Sequence, residues 1–318
     1  MTDSSTFQFR PGALWYDTDG IPINAHGGGL LHDRNTYYWY GEFKVEGRAG
    51  NSAQVGVSCY SSTDLYQWKN EGIVLTVSEE DGHEIERGCV IERPKVIHNH
   101  RTGQYVLWFH LELRGQGYAA ARCGVAVADS PTGPFAYRGS FRPDGEMSRD
   151  MTLFVDDDAT AYLFCASEEN STLHIHTLSD DYLTTTGNFI RVFENRSMEA
   201  PAVFQHEGRY YFIGSDCTGW APNAARSAVA DSVRGPWHEF GNPCLGSDSE
   251  LTFLAQSTYV QPVVGRPGAF LFLADRWRPE NAIDGRYVWL PIQFTDDRFV
   301  IPWQETWSLD YFDSQPSP

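Results

Sequence analysis

The sequence predicts an all-β chain wound as a five-bladed β-propeller. Three observations carry that expectation. Helical periodicity is missing, short β-branched and aromatic runs alternate with turns rich in Gly, Pro, Asn and Asp, and five segments repeat one layout along the chain. Runs such as 37–40, 105–109 and 269–273 are too short for helices and rich in strand formers.

Each repeat opens on a short apolar strand, passes a polar turn and continues into an aromatic strand. The first pairs 27–31 with 37–40 around the turn 32–35, and the second pairs 93–97 with 105–109 around 99–103. The third pairs 150–154 with 161–164 around 156–158, the fourth 199–204 with 210–213 around 206–208, and the fifth 256–260 with 269–273 around 264–268. A second hairpin follows each unit, at 55–75, 123–141, 171–193, 223–244 and 286–307. Three of these hairpins carry related turns, at 61–68, 129–135 and 231–237. Successive repeats start 66, 57, 49 and 57 residues apart, the length of a four-stranded blade. Sandwich strands are usually spaced more tightly, so five matched units favour the propeller. The five blades fill the chain as one domain, 1–318, with 308–318 expected to be a loose tail.

Composition narrows the function. With 41% hydrophobic residues, the 318-residue chain has enough apolar material for a sizeable core. Its 24 basic and 42 acidic residues give a formal charge of −18, which argues against nucleic acid and anionic membrane surfaces as partners and leaves a neutral or cationic ligand. An aromatic share of 14% suits a β-rich core and also a site that stacks sugar rings. The first residues show neither a basic nor an apolar leader region, and no apolar run approaches the roughly 20 residues of a membrane helix. The six cysteines, at 59, 89, 123, 165, 217 and 244, have no CxxC or metal-type spacing. They read as buried free thiols of a cytoplasmic protein, with a disulfide between two of them left open.

The innermost strand of each propeller blade lines the central channel, so residues entering those strands crowd around one mouth. The entry positions here are Asn24-Ala25-His26, Glu92, Asp150, Glu199 and Gln256. A carboxylate in an apolar strand is costly unless paired, and three in register point to a site. Glu92 stands beside Arg93 and Asp150 beside Arg149, whereas Met198-Glu199-Ala200-Pro201 offers Glu199 no adjacent base. Glu199 is therefore the candidate for a raised pKa and general-acid work.

Other features read as structural. Gly27-Gly28-Gly29 lacks the Lys-Ser/Thr and the helix of a phosphate loop, and close backbone approach explains it. His174 and His176 have no third metal ligand, and Asp156-Asp157-Asp158 lacks the rest of a calcium loop and reads as a turn. Trp39 is assigned to the core. Trp220, in the polar loop 217–223, and Tyr118, in the Gly-rich 115–118, are assigned to the mouth, where Trp277 also lies.

Five blades with axial acids resemble glycoside hydrolase family 43. The segments 25–29, Glu92-Arg93-Pro94-Lys95, 148–153, Glu199-Ala200-Pro201, Cys217-Thr218-Gly219-Trp220 and Gln256-Ser257-Thr258 are similar to its exo-β-1,3-galactanase branch, over roughly 23–292. The resemblance implies an inverting, exo-acting hydrolase that releases galactose from β-1,3-linked galactan, the arabinogalactan backbone. It implies Glu199 as general acid, with Asp150 tuning and orienting it. Most of the family has a general-base Asp where this chain reads Asn24-Ala25-His26. In the galactanase branch a glutamine, here Gln256, is proposed to serve the water as its imidic acid, with Glu92 binding the sugar and contributing to water activation. His26, Glu42, Tyr118, Thr218 and Trp220 are expected to bind substrate. No cofactor is expected, and a structural calcium in the central channel stays open. Two rival readings remain: another activity of the family (α-L-arabinofuranosidase, β-xylosidase or β-galactofuranosidase) and a non-catalytic sugar-binding propeller.

Overall fold

Strand residues alternate in direction with a period of two, so an unbroken apolar strand must be covered on both faces. The computed structural model, which describes residues 7–295 and 298–314, shows how the runs at 105–109 and 161–165 meet that demand. Tyr105, Leu107 and Phe109 enter one core while Val106 and Trp108 enter the next. Ala161, Leu163 and Cys165 share that second core, and Tyr162 and Phe164 face a third. Two further cores complete the set, each lying between two neighbouring sheets.

The sheets are five blades. The first is β1 (His26–Asp33), β2 (Thr36–Lys44), β3 (Gln54–Ser62) and β4 (Lys69–Thr76). The second is β5 (Val90–Asn99), β6 (Gln104–Glu112), β7 (Arg122–Ala128) and β8 (Ala136–Phe141). The third is β9 (Met151–Val155), β10 (Ala161–Ser167), β11 (Thr172–Leu178) and β12 (Thr185–Val192). The fourth is β13 (Glu199–His206), β14 (Arg209–Ser215), β15 (Arg226–Ala230) and β16 (His238–Gly241). The fifth has an extra strand: β17 (Cys244–Leu245) pairs parallel to the outermost strand of the antiparallel meander β18 (Gln256–Pro262), β19 (Phe270–Arg276), β20 (Arg286–Thr295) and β21 (Arg298–Pro302). The first meander strands β1, β5, β9, β13 and β18 touch one another around the ring.

The ring closes through aromatics. Trp39, Trp68, Tyr287 and Trp289 pack between blades one and five, and Phe9 bridges to Trp307. The tail expected to be loose is a correction: Leu309–Ser314 forms a turn, and Leu309, Tyr311 and Phe312 lie against this aromatic core. Its anchors are the Tyr66 hydroxyl, which accepts the Leu309 N–H, and Arg266, which donates to the Leu309 carbonyl. Residues 315–318 of that expectation lie outside the described residues.

Four of the five first meander strands carry an irregularity at the same end. The ladder slips between His26 and Gly29, Glu92 and Lys95, Glu199 and Ala202, and Ser257 and Tyr259. Gly27, Arg93 and Ala200, each following a mouth residue, have φ of +63°, +55° and +53°. Such bulges re-aim side chains, and a left-handed non-glycine residue is a strain concentrated at functional sites. The glycines of β1 allow close approach: a Cβ on Gly28 would stand 1.6 Å from the Tyr40 carbonyl oxygen, and one on Gly29 would stand 2.7 Å from the Lys95 stem.

The six cysteines are free thiols, five of them buried. His174 and His176 are core residues that face Glu168 and Asp144 and stack on Phe189. Among the described residues no helix is long and apolar enough to cross a membrane.

Candidate active site

The bulged strand ends surround a cavity of about 460 Å³ lined by Glu42, Glu92, Asp150, Glu199 and Gln256 together with Trp220 and Trp277. A larger cavity of about 960 Å³ opens at the other ends of the same strands, around Leu31, His98, Val155, Gln205 and Gln261. The smaller one gathers the acids and is the chemical site.

Arg93 organises the floor. Its left-handed backbone turns the side chain inward, where Nη2 stands 2.8 Å from Asp150 Oδ2 and donates to Gln256 Oε1 at 2.6 Å. Its Nη1 donates to the Ser257 carbonyl at 2.9 Å, and the guanidinium lies 5.3 Å over the Trp277 ring. Gln256 is held at both ends of its amide. Its Oε1 also accepts the Trp277 Nε1–H at 2.9 Å, and its Nε2 donates to Ser215 Oγ at 2.9 Å. An imidic acid would carry its proton on Oε1, where two N–H donors already point. These partners hold the ordinary amide and leave one Nε2–H for a ligand.

The carboxyls are driven apart electrostatically. Burial first, then the Asp150 charge, push Glu199 up to about 7, against the opposing pull of Cys217 and Arg93. Asn170 Nδ2 donates to Glu199 Oε1 at 2.7 Å, and its own Oδ1 faces Arg149, which fixes the amide's orientation. The Glu199 proton therefore belongs on Oε2. Burial alone would raise Glu92 as well, but the close contact and charge of His110, the Lys44 charge and the Tyr118 hydroxyl bring it down to about 2. The site thus sets Glu199, which keeps its proton up to about pH 7, close to the ionised Glu92, the arrangement that acid catalysis beside a stabilising anion requires.

Donor atoms of Glu92, His110 and Asp150 lie within 4.8 Å of one another, a metal-like grouping. Both His110 nitrogens already face carboxylates, and Arg93 stands on Asp150. Deeper in, between blades one and two, Lys95 Nζ donates to the Gly27 and Arg93 carbonyls at 3.0 and 3.3 Å.

The profile of glycosyl hydrolases family 43 matches residues 26–297. The chain belongs to glycosyl hydrolase family 43. Within this family, it superposes with a TM-score of 0.92 and 46% identity on a β-1,3-galactosidase solved with galactodeoxynojirimycin, over 95% of this chain and 100% of that one. An exo-β-1,3-galactanase from Phanerochaete chrysosporium solved with β-1,3-galactotriose matches with a TM-score of 0.87 and 36% identity, over 95% of this chain and 68% of that one. The exo-β-1,3-galactanase from Clostridium thermocellum matches with a TM-score of 0.86 and 35% identity, over 94% and 66%. No curated protein matches the sequence.

The family 43 pocket brings together Glu92, Asp150, Glu199, Gln256, Tyr118 and Trp220 from the sequence-predicted set. Glu42 borders the cavity but is buried, with Oε1 accepting the Arg93 N–H and Oε2 2.5 Å from Lys44 Nζ. Two of the expected residues stand outside the cavity lining. His26 is buried there, stacked on Tyr287, and burial holds it down to about 3. Thr218 also lies outside the lining: its hydroxyl donates to the Ala221 carbonyl and accepts from Asn223, which shapes the loop that presents Trp220. Asn24, at the usual base position, is likewise structural and bonds both backbone groups of Lys44. Sequence reasoning missed His110, Asn170 and the inward turn of Arg93. His110 sits inside a run that reads as core strand, and the other two depend on left-handed backbone in a bulge and a turn.

Proposed function

We propose that this chain is an exo-acting, inverting galactosidase that releases galactose from β-1,3-linked galactan or galacto-oligosaccharides. The chemistry rests on one observation: a carboxyl pushed up to about 7, Glu199, shares a pocket with a carboxylate held down at about 2, Glu92. The choice of sugar and linkage follows the relatives, which are named for β-1,3-galactose chemistry and match nearly the whole chain.

Glu199 Oε2 delivers its proton to the glycosidic oxygen as the bond to the anomeric carbon breaks, and water attacks the opposite face of an oxocarbenium-like centre. Gln256, pinned by Arg93, Trp277 and Ser215, positions that water with its free Nε2–H. The water becomes strongly acidic only once its oxygen has bonded to carbon. A weakly basic carboxylate such as Glu92 is then sufficient to take the proton. Trp220, 40% exposed and edge-on to Trp277 at 6.0 Å, offers an apolar face to the sugar.

Incubation with β-1,3-galactobiose followed by NMR of the anomers tests substrate, reaction and stereochemistry together. The expected result is free galactose appearing first in the inverted, α configuration. Turnover of arabinofuranosides or xylosides in preference, or binding without cleavage, refutes the reading.

A further inference from the structure

Behind Glu92 stands a line of buried polar groups that the reaction as written leaves without a role. Glu92 Oε2 lies 2.8 Å from His110 Nδ1, and His110 Nε2 lies 2.9 Å from Glu112 Oε1. Glu112 Oε2 accepts the Ala121 N–H at 3.0 Å. His110 and Glu112 are wholly buried and, two residues apart on β6, project from one face of the strand. The cost of burying this many charges is high unless each is answered.

The hydrogen bonds restrict where protons can sit. A neutral imidazole has one N–H and cannot donate to carboxylates on both sides. Either His110 is an imidazolium between two carboxylates, or one proton has moved, from Nε2 to Glu112 or from Nδ1 to Glu92. The first two place a proton on Nδ1, 2.8 Å from Glu92 Oε2, an ion-pair contact whose N–H is not aligned as a hydrogen bond. The other Glu92 oxygen accepts the Tyr118 hydroxyl at 2.8 Å, and the nearby Lys44 charge adds to His110, which favours the ionised carboxylate over a proton on Glu92. The remaining charges facing Glu92 are Lys44 and Glu42 from β2, the adjacent Arg93, Asp150 ahead of β9 and Glu199 at the start of β13.

We propose that His110 and Glu112 are positioning residues for the hydrolysis, holding Glu92 ionised and aimed into the pocket while Glu199 keeps the catalytic proton. Glu92 and Glu199, in one small cavity, would otherwise compete for a single proton, and a proton on Glu92 is lost to catalysis. Burial opposes the charge on His110, but its bonds to Glu112 and Glu92 overcome this and push it up to about 9. The pair is therefore in place throughout the range in which Glu199 is protonated. This inference rests on the galactosidase reading for its kinetic readout.

The kinetic test is the pH profile of kcat/KM on β-1,3-galactobiose for the wild type, His110→Gln and Glu112→Gln, with folding checked by thermal melting. The wild type is expected to be flat on the acid side down to about pH 4. Each variant is expected to gain an acid limb, so that activity falls about tenfold more at pH 4.5 than at pH 6.5, with the larger effect in His110→Gln. A folded variant whose profile runs parallel to the wild type overturns the proposal, since a purely structural role lowers activity evenly. Long-range ¹H–¹⁵N NMR of the unliganded wild type decides the matter independently of substrate and of variant folding. Nδ1 of His110 carrying a proton at pH 6 supports the proposal, and a bare Nδ1 overturns it. If the wild type does not cleave galactobiose, the galactosidase reading fails while the NMR result still decides the pair.

Discussion

Asp150 reaches Glu199 through one peptide group: its Oδ2 accepts the N–H of Ala200, the residue after Glu199, at 3.0 Å. The same oxygen stands 2.8 Å from Arg93 Nη2. Asp150 thus fixes the strand that carries the acid and, through its charge, helps keep the acid protonated. General acid catalysis needs that proton, so wild-type kcat/KM is expected to decline as pH rises through about 7. In Asp150→Asn the repulsive charge is gone and Arg93 is freed to favour ionised Glu199. The basic limb is then expected to move down by about one pH unit, with activity at pH 7 suffering more than at pH 5. An unmoved limb would mean that Asp150 acts by geometry alone.

Glu199→Gln retains an oxygen for the Asn170 amide to bond but has no acidic proton to give. Its kcat on galactobiose is expected to fall about 10²–10⁴-fold, while calorimetry still shows binding of the disaccharide. An aryl galactoside whose phenolate leaves without protonation is expected to be spared most of that loss. Equal losses on both substrates would remove Glu199 from the acid role.

How much of this was legible follows from where each signal sits. The blades were readable because a strand such as Tyr105–Phe109, buried on both faces, can only be written as a continuous apolar run. Glu92, Asp150, Glu199 and Gln256 were readable because repetition puts each at the same point of its blade. His26 misled for the same reason. It occupies the mouth position of blade one, but the bulge after it turns the ring onto Tyr287 of blade five. Asn170 was invisible because the turn Glu168-Glu169-Asn170, with φ of +51°, +56° and +65°, is what carries its amide over Glu199. No pattern in one sequence announces three successive left-handed residues without glycine.

Trp220 is 40% exposed and stands edge-on to Trp277, away from the hydrogen bonds that fix the acids, so its loss leaves the acids where they are. Binding energy that is equal in ground and transition states appears in KM and not in kcat. Trp220→Ala is accordingly expected to raise KM about five- to tenfold, the equivalent of about 1 kcal/mol of stacking, with kcat within about twofold of wild type. A collapse of kcat with unchanged KM would place Trp220 in the reacting subsite.

Lys95 supplies a prediction about stability. Burial, reinforced by the neighbouring Arg93 charge, lowers it to about 7, against opposing attraction from Glu42, Asp150 and Asp275. In the unfolded chain the amine titrates near its ordinary 10.5. Between those values the unfolded state binds a proton that the folded state does not, so this residue's contribution to stability rises with pH across the interval. It is complete above 10.5 and disappears as pH falls through about 7, below which it is constant. Lys95→Met removes the titration and adds a fixed penalty for the Gly27 and Arg93 carbonyls that lose their donor. The melting temperature of wild type minus that of Lys95→Met is therefore expected to increase from pH 7 to pH 9.5. The corresponding free-energy change is on the order of a few kcal/mol. A difference that stays level across that range would show that Lys95 keeps its charge when buried, stabilised by the surrounding carboxylates.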